Sequence, residues 1–164
     1  HRHVDRELAR ARARGARRSG HAPIDVDVLL GDLITAMGSL SRGSALQWTT
    51  DAGPDLEISV DADDFNNMMG NLLENAQKWA RNLVRVAARK TPAGIKIDVE
   101  VDGPGVPDDM IDRVILRGER ADMSVSGSGL GLAIVNDLVE LYRGNLQLSR
   151  SSLGGLKASL FLPN

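Results

Sequence analysis

The stretch NLLENAQKW at residues 71–79 carries polar side chains whose types and spacing could bind a phosphate group and a metal ion. Asn71, Asn75 and Lys78 lie at i, i+4 and i+7, which places them on one face of a helix. Asparagine oxygens can hold a hydrated Mg²⁺, and a lysine can reach a phosphate as a point charge. Glu74 lies about 100° from this face and is not expected to share the site. The alternative interpretation is a solvated helix face.

Two glycine-rich stretches are further candidates for ligand binding. GSGLGL at 127–132 precedes the strongest helical pattern of the chain, where free N–H groups and a positive helix dipole suit a phosphate. No Gly-Lys-Ser/Thr follows it, and no βαβ unit contains it, which excludes a P-loop and a dinucleotide fingerprint. DGPG at 102–105 follows a strand, and its glycines allow close backbone approach to a ligand. The alternatives are a flexible loop and a plain turn.

The elements that must position these residues follow from periodicity and turn signals. Helices are predicted at 1–18, 24–40, from Asp63 or Asp64 as the cap to Trp79, and at 130–144, closed by Gly144; residues 107–115 are predicted to form a short helix or turn. Strands are predicted at 46–50, 56–62, 83–91, 95–101, 145–151 and 156–163. This order predicts an α+β fold, a two-layer α/β sandwich with helices on one face of a mixed, mostly antiparallel sheet.

Composition limits the class of protein. A chain of 164 residues can form one domain with a hydrophobic core, and with 3% aromatic residues that core must be mainly aliphatic. The absence of cysteine excludes disulfides and thiolate metal sites. No apolar run reaches the roughly 20 residues of a membrane span, and no signal peptide is visible. Because the chain begins at His1 within a helical pattern, we interpret it as part of a longer protein.

The net charge is unevenly distributed. Residues 1–20 hold seven arginines against Asp5 and Glu7, a charge of +5, which leaves −7 for the rest of a chain whose total is −2. Such a segment could bind nucleic acid or an anionic membrane, or could simply be a solvated helix face. We favour the solvated face, because no aromatic residues interleave with the arginines and the main body is acidic.

The three motifs follow the order and approximate spacing of the N, G1 and G2 boxes. The chain therefore resembles, from residue 24 to 163, the catalytic ATP-binding domain of two-component sensor histidine kinases, with the Bergerat ATP-binding fold. RVILRGERAD (113–122) and the LGG before the last strand resemble the PhoQ-type branch. By this resemblance, residues 1–20 are the remnant of the second dimerisation and phosphoacceptor helix with its linker, and 21–164 form the catalytic domain.

The resemblance implies which residues of this chain would bind magnesium-ATP. The N box would supply Asn75 as the magnesium ligand, with Asn71 as a second candidate, Lys78 for phosphate and Trp79 against the nucleotide. Gly103 and Gly105 form the G1 turn. The remaining implied contacts are the G2 residues Gly127, Gly129, Leu130 and Gly131 around the triphosphate and the lid arginines Arg117 and Arg120 in the loop 116–128. Ile115 stands where the family usually has phenylalanine.

The implied reaction is transfer of the ATP γ-phosphate to a histidine of the phosphoacceptor domain of the same kinase, followed by signalling to a response regulator. The resemblance also implies a homodimer, a cytoplasmic catalytic domain of an inner-membrane sensor, and no nucleic-acid partner. His1, His3 and His21 lack the acceptor sequence context. No catalytic residue is therefore assigned, and the chain is expected to bind nucleotide without autophosphorylating.

One position departs from the family pattern Asp-x-Gly-x-Gly. Counting back two residues from Gly103 gives Val101, where the family has the aspartate that accepts a hydrogen bond from the adenine amine. Glu100 and Asp102 point to the opposite face of the strand, because side chains alternate. Two hypotheses follow: a domain that binds ATP with weakened base recognition, or an altered domain that no longer binds nucleotide and acts as an interaction module.

Overall fold

The computed structural model describes residues 21–39, 45–103 and 130–164. The elements in chain order are β1 (Ile24–Asp25), α1 (Val26–Ser39), β2 (Gln47–Ala52), β3 (Glu57–Ile58), α2 (Ala62–Trp79), β4 (Leu83–Thr91), β5 (Gly94–Val101), α3 (Leu130–Leu141), β6 (Asn145–Arg150) and β7 (Leu156–Pro163). The predicted helix at 1–18 and the helix or turn at 107–115 lie outside the described residues.

Five of the described strands form one mixed sheet in the order β2-β4-β5-β7-β6. β2 runs parallel to β4, and the other three pairs are antiparallel. β4 and β5 form the predicted hairpin, with Thr91 opposite Gly94. The prediction of helices layered on a mixed, mostly antiparallel sheet is confirmed.

The strand predicted at 56–62 is the clearest correction. Only Glu57–Ile58 is extended in a ladder, and it pairs with β1 in a separate two-stranded sheet. The ladder ends there because Asp61 already caps the next helix, and the Leu56 carbonyl accepts its hydrogen bond from Val26 N–H at the start of α1. The 56–62 segment therefore lies outside the main sheet, and β2 instead pairs with β4.

Helix α2 supplies the largest part of the helical layer. Its residues at a spacing of three and four are buried, as predicted: Phe65, Met68, Met69, Leu72, Leu73, Ala76 and Trp79. They pack with the inward residues of β4, β5 and β7 and with the apolar side of α3. The opposite side of α2 is polar. None of the described helices is both long and apolar enough to cross a membrane.

The described helices all differ from prediction at an end, and α1 begins at Val26 rather than 24 because Ile24–Asp25 pair with β3. Asp61, rather than Asp63 or Asp64, caps α2, and its carboxylate accepts a hydrogen bond from Asp64 N–H at 3.0 Å. Helix α3 ends at Leu141 rather than 144, and Arg143 takes the left-handed conformation (φ 61°) that glycine usually occupies at this point.

Asp64 has a structural role instead of the predicted capping role. Its carboxyl group is fully buried in the first turn of α2 and accepts a 2.6 Å hydrogen bond from the Tyr142 hydroxyl, which follows the last residue of α3. Burial and this hydrogen bond both raise the pKa of Tyr142 above its ordinary value. The contact ties the start of α2 to the end of α3.

Replacing Tyr142 by Phe should therefore destabilise the fold. The substitution removes a donor from a buried carboxyl group, and we expect a loss of about 1.5–3 kcal/mol in the free energy of unfolding. Urea denaturation followed by circular dichroism measures it, with the exposed Ser149→Ala as the control. A loss below about 0.5 kcal/mol would show that the buried carboxyl group does not depend on this donor.

Candidate functional site

The N-terminal end of α3 lies against the middle of α2. A Cβ atom added to Gly131 would lie 3.0 Å from Oδ1 of Asn71, so this position leaves little room for a side chain. The Asn71 amide nitrogen donates to the Asn67 carbonyl (2.6 Å) and to Asn67 Oδ1 (3.1 Å), which orients the carboxamide. The Asn71 amide oxygen and the first N–H groups of α3 thus lie side by side, so the oxygen suits a cation and the N-terminus of the helix suits an anion.

One turn further along α2, the other two predicted polar residues follow. Asn75 is half-buried, and among the described residues no hydrogen bond to its side chain is present. The Lys78 ammonium forms an ion pair with Glu74 at 3.5 Å. Glu74 was expected to lie off the polar face, but its long side chain reaches Lys78 by the ordinary i,i+4 contact. Glu74 is therefore a neighbour of the site.

The C-terminal end of α2 contacts the turn after β5. A Cβ atom on Gly103 would overlap the carbonyl oxygen of Trp79 and lie 2.5 Å from its carbonyl carbon. The glycine is therefore required by the backbone of α2, in addition to any approach of a ligand. Trp79 is itself 8% exposed and belongs to the hydrophobic core.

Asp102 joins the turn after β5 to the residues that follow α2. Its Oδ1 accepts hydrogen bonds from the backbone N–H groups of Arg81, Asn82 and Leu83, at 2.9, 2.9 and 3.0 Å. Burial alone would raise the pKa of Asp102, but the hydrogen bonds from these N–H groups outweigh it and hold the pKa below its ordinary value. The carboxylate therefore ties the end of β5 to the start of β4, directly after α2.

Val101 lies in the core and is 2% exposed, opposite Val84 of β4. The neighbouring acid, Glu100, accepts hydrogen bonds from Arg85 Nη2 (2.8 Å) and Ser151 Oγ (2.9 Å). Burial opposes ionisation of Glu100, but the hydrogen bonds from Arg85 and Ser151 lower its pKa overall. Both carboxylates that flank Val101 are thus engaged with protein groups, and neither is placed to substitute for a carboxylate at 101.

The two glycine motifs therefore contact α2, which carries the third motif, at different points. Gly131 lies at Asn71 and Gly103 at Trp79, eight residues apart, or about 12 Å along a helix. The other predicted contacts fall outside the described residues: Gly105, Arg117, Arg120, Gly127, Gly129 and the side chain of Leu130, together with Ile115 and the loop 116–128.

Sequence reasoning missed the residues that hold the site together. Asp102 was considered only as a substitute for the missing aspartate, and Ser151 was not considered. A signal was available, because the N–H groups of residues 81–83 follow a helix and begin a strand, and such groups need acceptors. An acidic residue at the end of the paired strand could have been proposed to fill that role.

A family profile described as "Histidine kinase-, DNA gyrase B-, and HSP90-like ATPase" matches residues 60–164, more than half of the chain. The chain belongs to this family. Sensor protein kinase CarS of Pseudomonas aeruginosa is 40% identical over 160 residues, which cover 98% of this chain and 36% of that protein. Two-component sensor PhoQ of the same species is 40% identical over 127 residues, covering 77% and 28%.

Solved structures of this ATPase family confirm the fold. The mycobacterial sensor histidine kinase MprB superposes with a TM-score of 0.74 at 26% identity, covering 87% of this chain and 97% of that one. The ATP-binding domain of PrrB from Mycobacterium tuberculosis gives 0.73 at 26% identity, covering 88% and 97%. The chain thus has the fold of histidine kinase ATP-binding domains, and it spans about a third of the length of the curated relatives it matches.

The lowered pKa of Asp102 predicts how the stability of this ATPase-family domain depends on pH. The folded state binds the Asp102 proton more weakly than the unfolded state, where the pKa is about 3.9. The stabilisation is therefore complete above that value and is lost as pH falls through the folded pKa. We expect Asp102→Asn to flatten the decrease in unfolding free energy between about pH 5 and pH 3.

Urea unfolding at several pH values measures this effect. Asp63→Asn is a matched control, because Asp63 is an exposed residue of the first turn of α2. If the unfolding free energy falls equally steeply with decreasing pH in the wild type and in Asp102→Asn, the role given to the ionised carboxylate is contradicted.

Proposed function

We propose that this chain binds magnesium-ATP along α2, as the ATP-binding part of a sensor histidine kinase. The observation that carries the proposal is the convergence of two glycine motifs on one helix, Gly131 beside Asn71 and Gly103 behind Trp79. The triphosphate would lie at the first pair, where the N-terminus of α3 favours negative charge. The base would lie near the second pair, beside Val101.

The metal would be held mainly by the nucleotide. Within the described residues, no group of three or more His, Cys, Asp or Glu side chains could hold a metal ion. Magnesium usually keeps several waters and is bound by few protein ligands together with phosphate oxygens. A single amide oxygen, that of Asn75 or of Asn71, fits this pattern. When bound, the metal would neutralise phosphate charge, while Lys78 would contact the phosphates.

Val101 supports an alternative function. Val101 lies in the core, and both flanking carboxylates, Glu100 and Asp102, are engaged elsewhere, so neither is placed to accept a hydrogen bond from an adenine amine. An altered domain of this kind would act as an interaction module without nucleotide. We favour ATP binding, because Asn71, Asn75 and Lys78 are all present on the polar face of α2 and both glycine motifs meet this helix.

The proposed context is that of the longer relatives. We propose that residues 1–20 are the remnant of the second dimerisation and phosphoacceptor helix with its linker and that 21–164 form the catalytic domain. The partners would be the phosphoacceptor domain of the same kinase and a response regulator, within a homodimeric protein whose catalytic domain faces the cytoplasm. The phosphoryl acceptor would be a histidine outside this chain.

Restoring a carboxylate at position 101 should strengthen ATP binding. We expect Val101→Asp to bind magnesium-ATP roughly 10- to 150-fold more tightly than the wild type, because a hydrogen bond to a charged group contributes about 1.5–3 kcal/mol. Isothermal titration calorimetry measures both dissociation constants. Circular dichroism must accompany it, because the new carboxyl group enters a buried position.

Val101→Asn is the matched control, since its amide oxygen has the same position without the charge and should give a smaller gain. If the wild type and Val101→Asp bind equally tightly, our assignment of Val101 to the base end is wrong. If neither variant binds ATP while both remain folded, the interaction-module alternative is supported.

The Asn75 side chain should account for the magnesium dependence of binding. We expect Asn75→Ala to lose most of the difference in ATP affinity between buffer with magnesium and buffer with EDTA, because it removes the amide oxygen that would complete the coordination shell. Asn66→Ala, on the same helix, is the control and should keep the full difference. An unchanged magnesium effect in Asn75→Ala would exclude this residue as the ligand.

A further inference from the structure

The turn between β6 and β7, residues 151–155, docks on the end of β5. Its own geometry is closed by backbone hydrogen bonds, from Ser151 N–H to the Gly155 carbonyl (2.7 Å) and from Gly154 N–H to the Ser151 carbonyl (3.0 Å). Gly154 takes a positive φ of 106°, which a side chain would strain. The hairpin register is set separately by the pairing of Arg150 with Leu156. The hairpin thus has its own closing contacts.

The Ser151 side chain makes a contact beyond the hairpin. It is 8% exposed, and its hydroxyl donates to Glu100 Oε1 at 2.9 Å while accepting a hydrogen bond from Leu153 N–H at 3.0 Å. Arg85 holds the other oxygen of the same carboxylate through Nε (3.1 Å) and Nη2 (2.8 Å). The carboxylate beside Val101 is therefore held from β4 on one side and from the turn on the other.

Gly155 brings the backbone of the turn into contact with the same strand end. A Cβ atom there would lie 2.5 Å from the Val101 carbonyl oxygen and 2.7 Å from Gly103 N, distances that real Cβ atoms do not show. The turn thus lies directly behind the segment Val101–Gly103, whose other side meets Trp79 and residues 81–83. The segment is enclosed from both sides.

We propose that the 151–155 turn is a positioning element of the nucleotide pocket, and that the Ser151–Glu100 hydrogen bond fixes the base end without touching the ligand. The inference rests on the proposed ATP binding. It assigns Ser151 as a positioning residue that acts through Glu100 on Val101. A residue needed only for hairpin closure would not have to reach the neighbouring strand, because Ser151 N–H and Gly155 already close the turn.

The first test needs no nucleotide. Amide hydrogen exchange by NMR compares the wild type with Ser151→Ala, using the Asp102 N–H, which donates to the Leu83 carbonyl, as the probe. We expect this amide to exchange about fivefold faster in Ser151→Ala, while the Ile97 amide in the middle of β5 keeps its rate. Ser151→Thr keeps the hydroxyl and should restore the wild-type rate, and Ser149→Ala is the control. Unchanged exchange at Asp102 overturns the proposal.

The second test separates base binding from phosphate binding. We expect Ser151→Ala to bind magnesium-ATP about fivefold more weakly, with unchanged affinity for magnesium tripolyphosphate, which lacks a base. Equal weakening for both ligands would indicate a general loss of structure and overturn the positioning role. If the wild type binds magnesium tripolyphosphate as tightly as magnesium-ATP, the base contributes no affinity and the proposed ATP function is contradicted. The exchange rate of the Asp102 amide then still decides whether the turn holds the end of β5.

Discussion

The interaction on which the site depends is the Asp102 carboxylate with the backbone N–H groups of residues 81–83. These groups lie between the end of α2 and the start of β4, and leaving them without an acceptor would cost stability. One ionised side chain satisfies all three and fixes β5 against the end of α2. The contact of Gly103 with Trp79 follows from this attachment, because the two backbones are held together one residue away.

Helix α2 belongs both to the hydrophobic core and to the candidate pocket. Its apolar side is buried against the sheet, while its polar side carries Asn71, Asn75 and Lys78. The same packing that stabilises the domain therefore sets the distance between the phosphate end and the base end of the candidate pocket. In the proposed pocket, a ligand spanning both ends would lie along one helix, which would reduce the entropy lost on binding.

The larger elements were predictable because strong periodicities specify them. The apolar spacing in α2 and the alternation in β4, β5 and β7 led to the correct layers. The short β3 was mispredicted because LEISV alternates as a strand does, and only the cap at Asp61 and the contact of Leu56 with Val26 end its ladder. Contacts between segments distant in sequence, such as Ser151 with Glu100, leave no local pattern. Such contacts depend on how β5, β7 and β6 pair in the sheet.

Gly103 and Val101 of the G1 motif differ in how they bear on nucleotide binding. Gly103 has no room for a side chain because the Trp79 carbonyl occupies the space, so its presence is explained by the fold whether or not a nucleotide binds. Val101 is equally compatible with the fold, since an apolar side chain suits a position that is 2% exposed. An aspartate there would bear a desolvation cost, which a hydrogen bond from a base would offset. The turn can therefore remain intact while base recognition is weakened, and a glycine pattern alone does not measure nucleotide affinity.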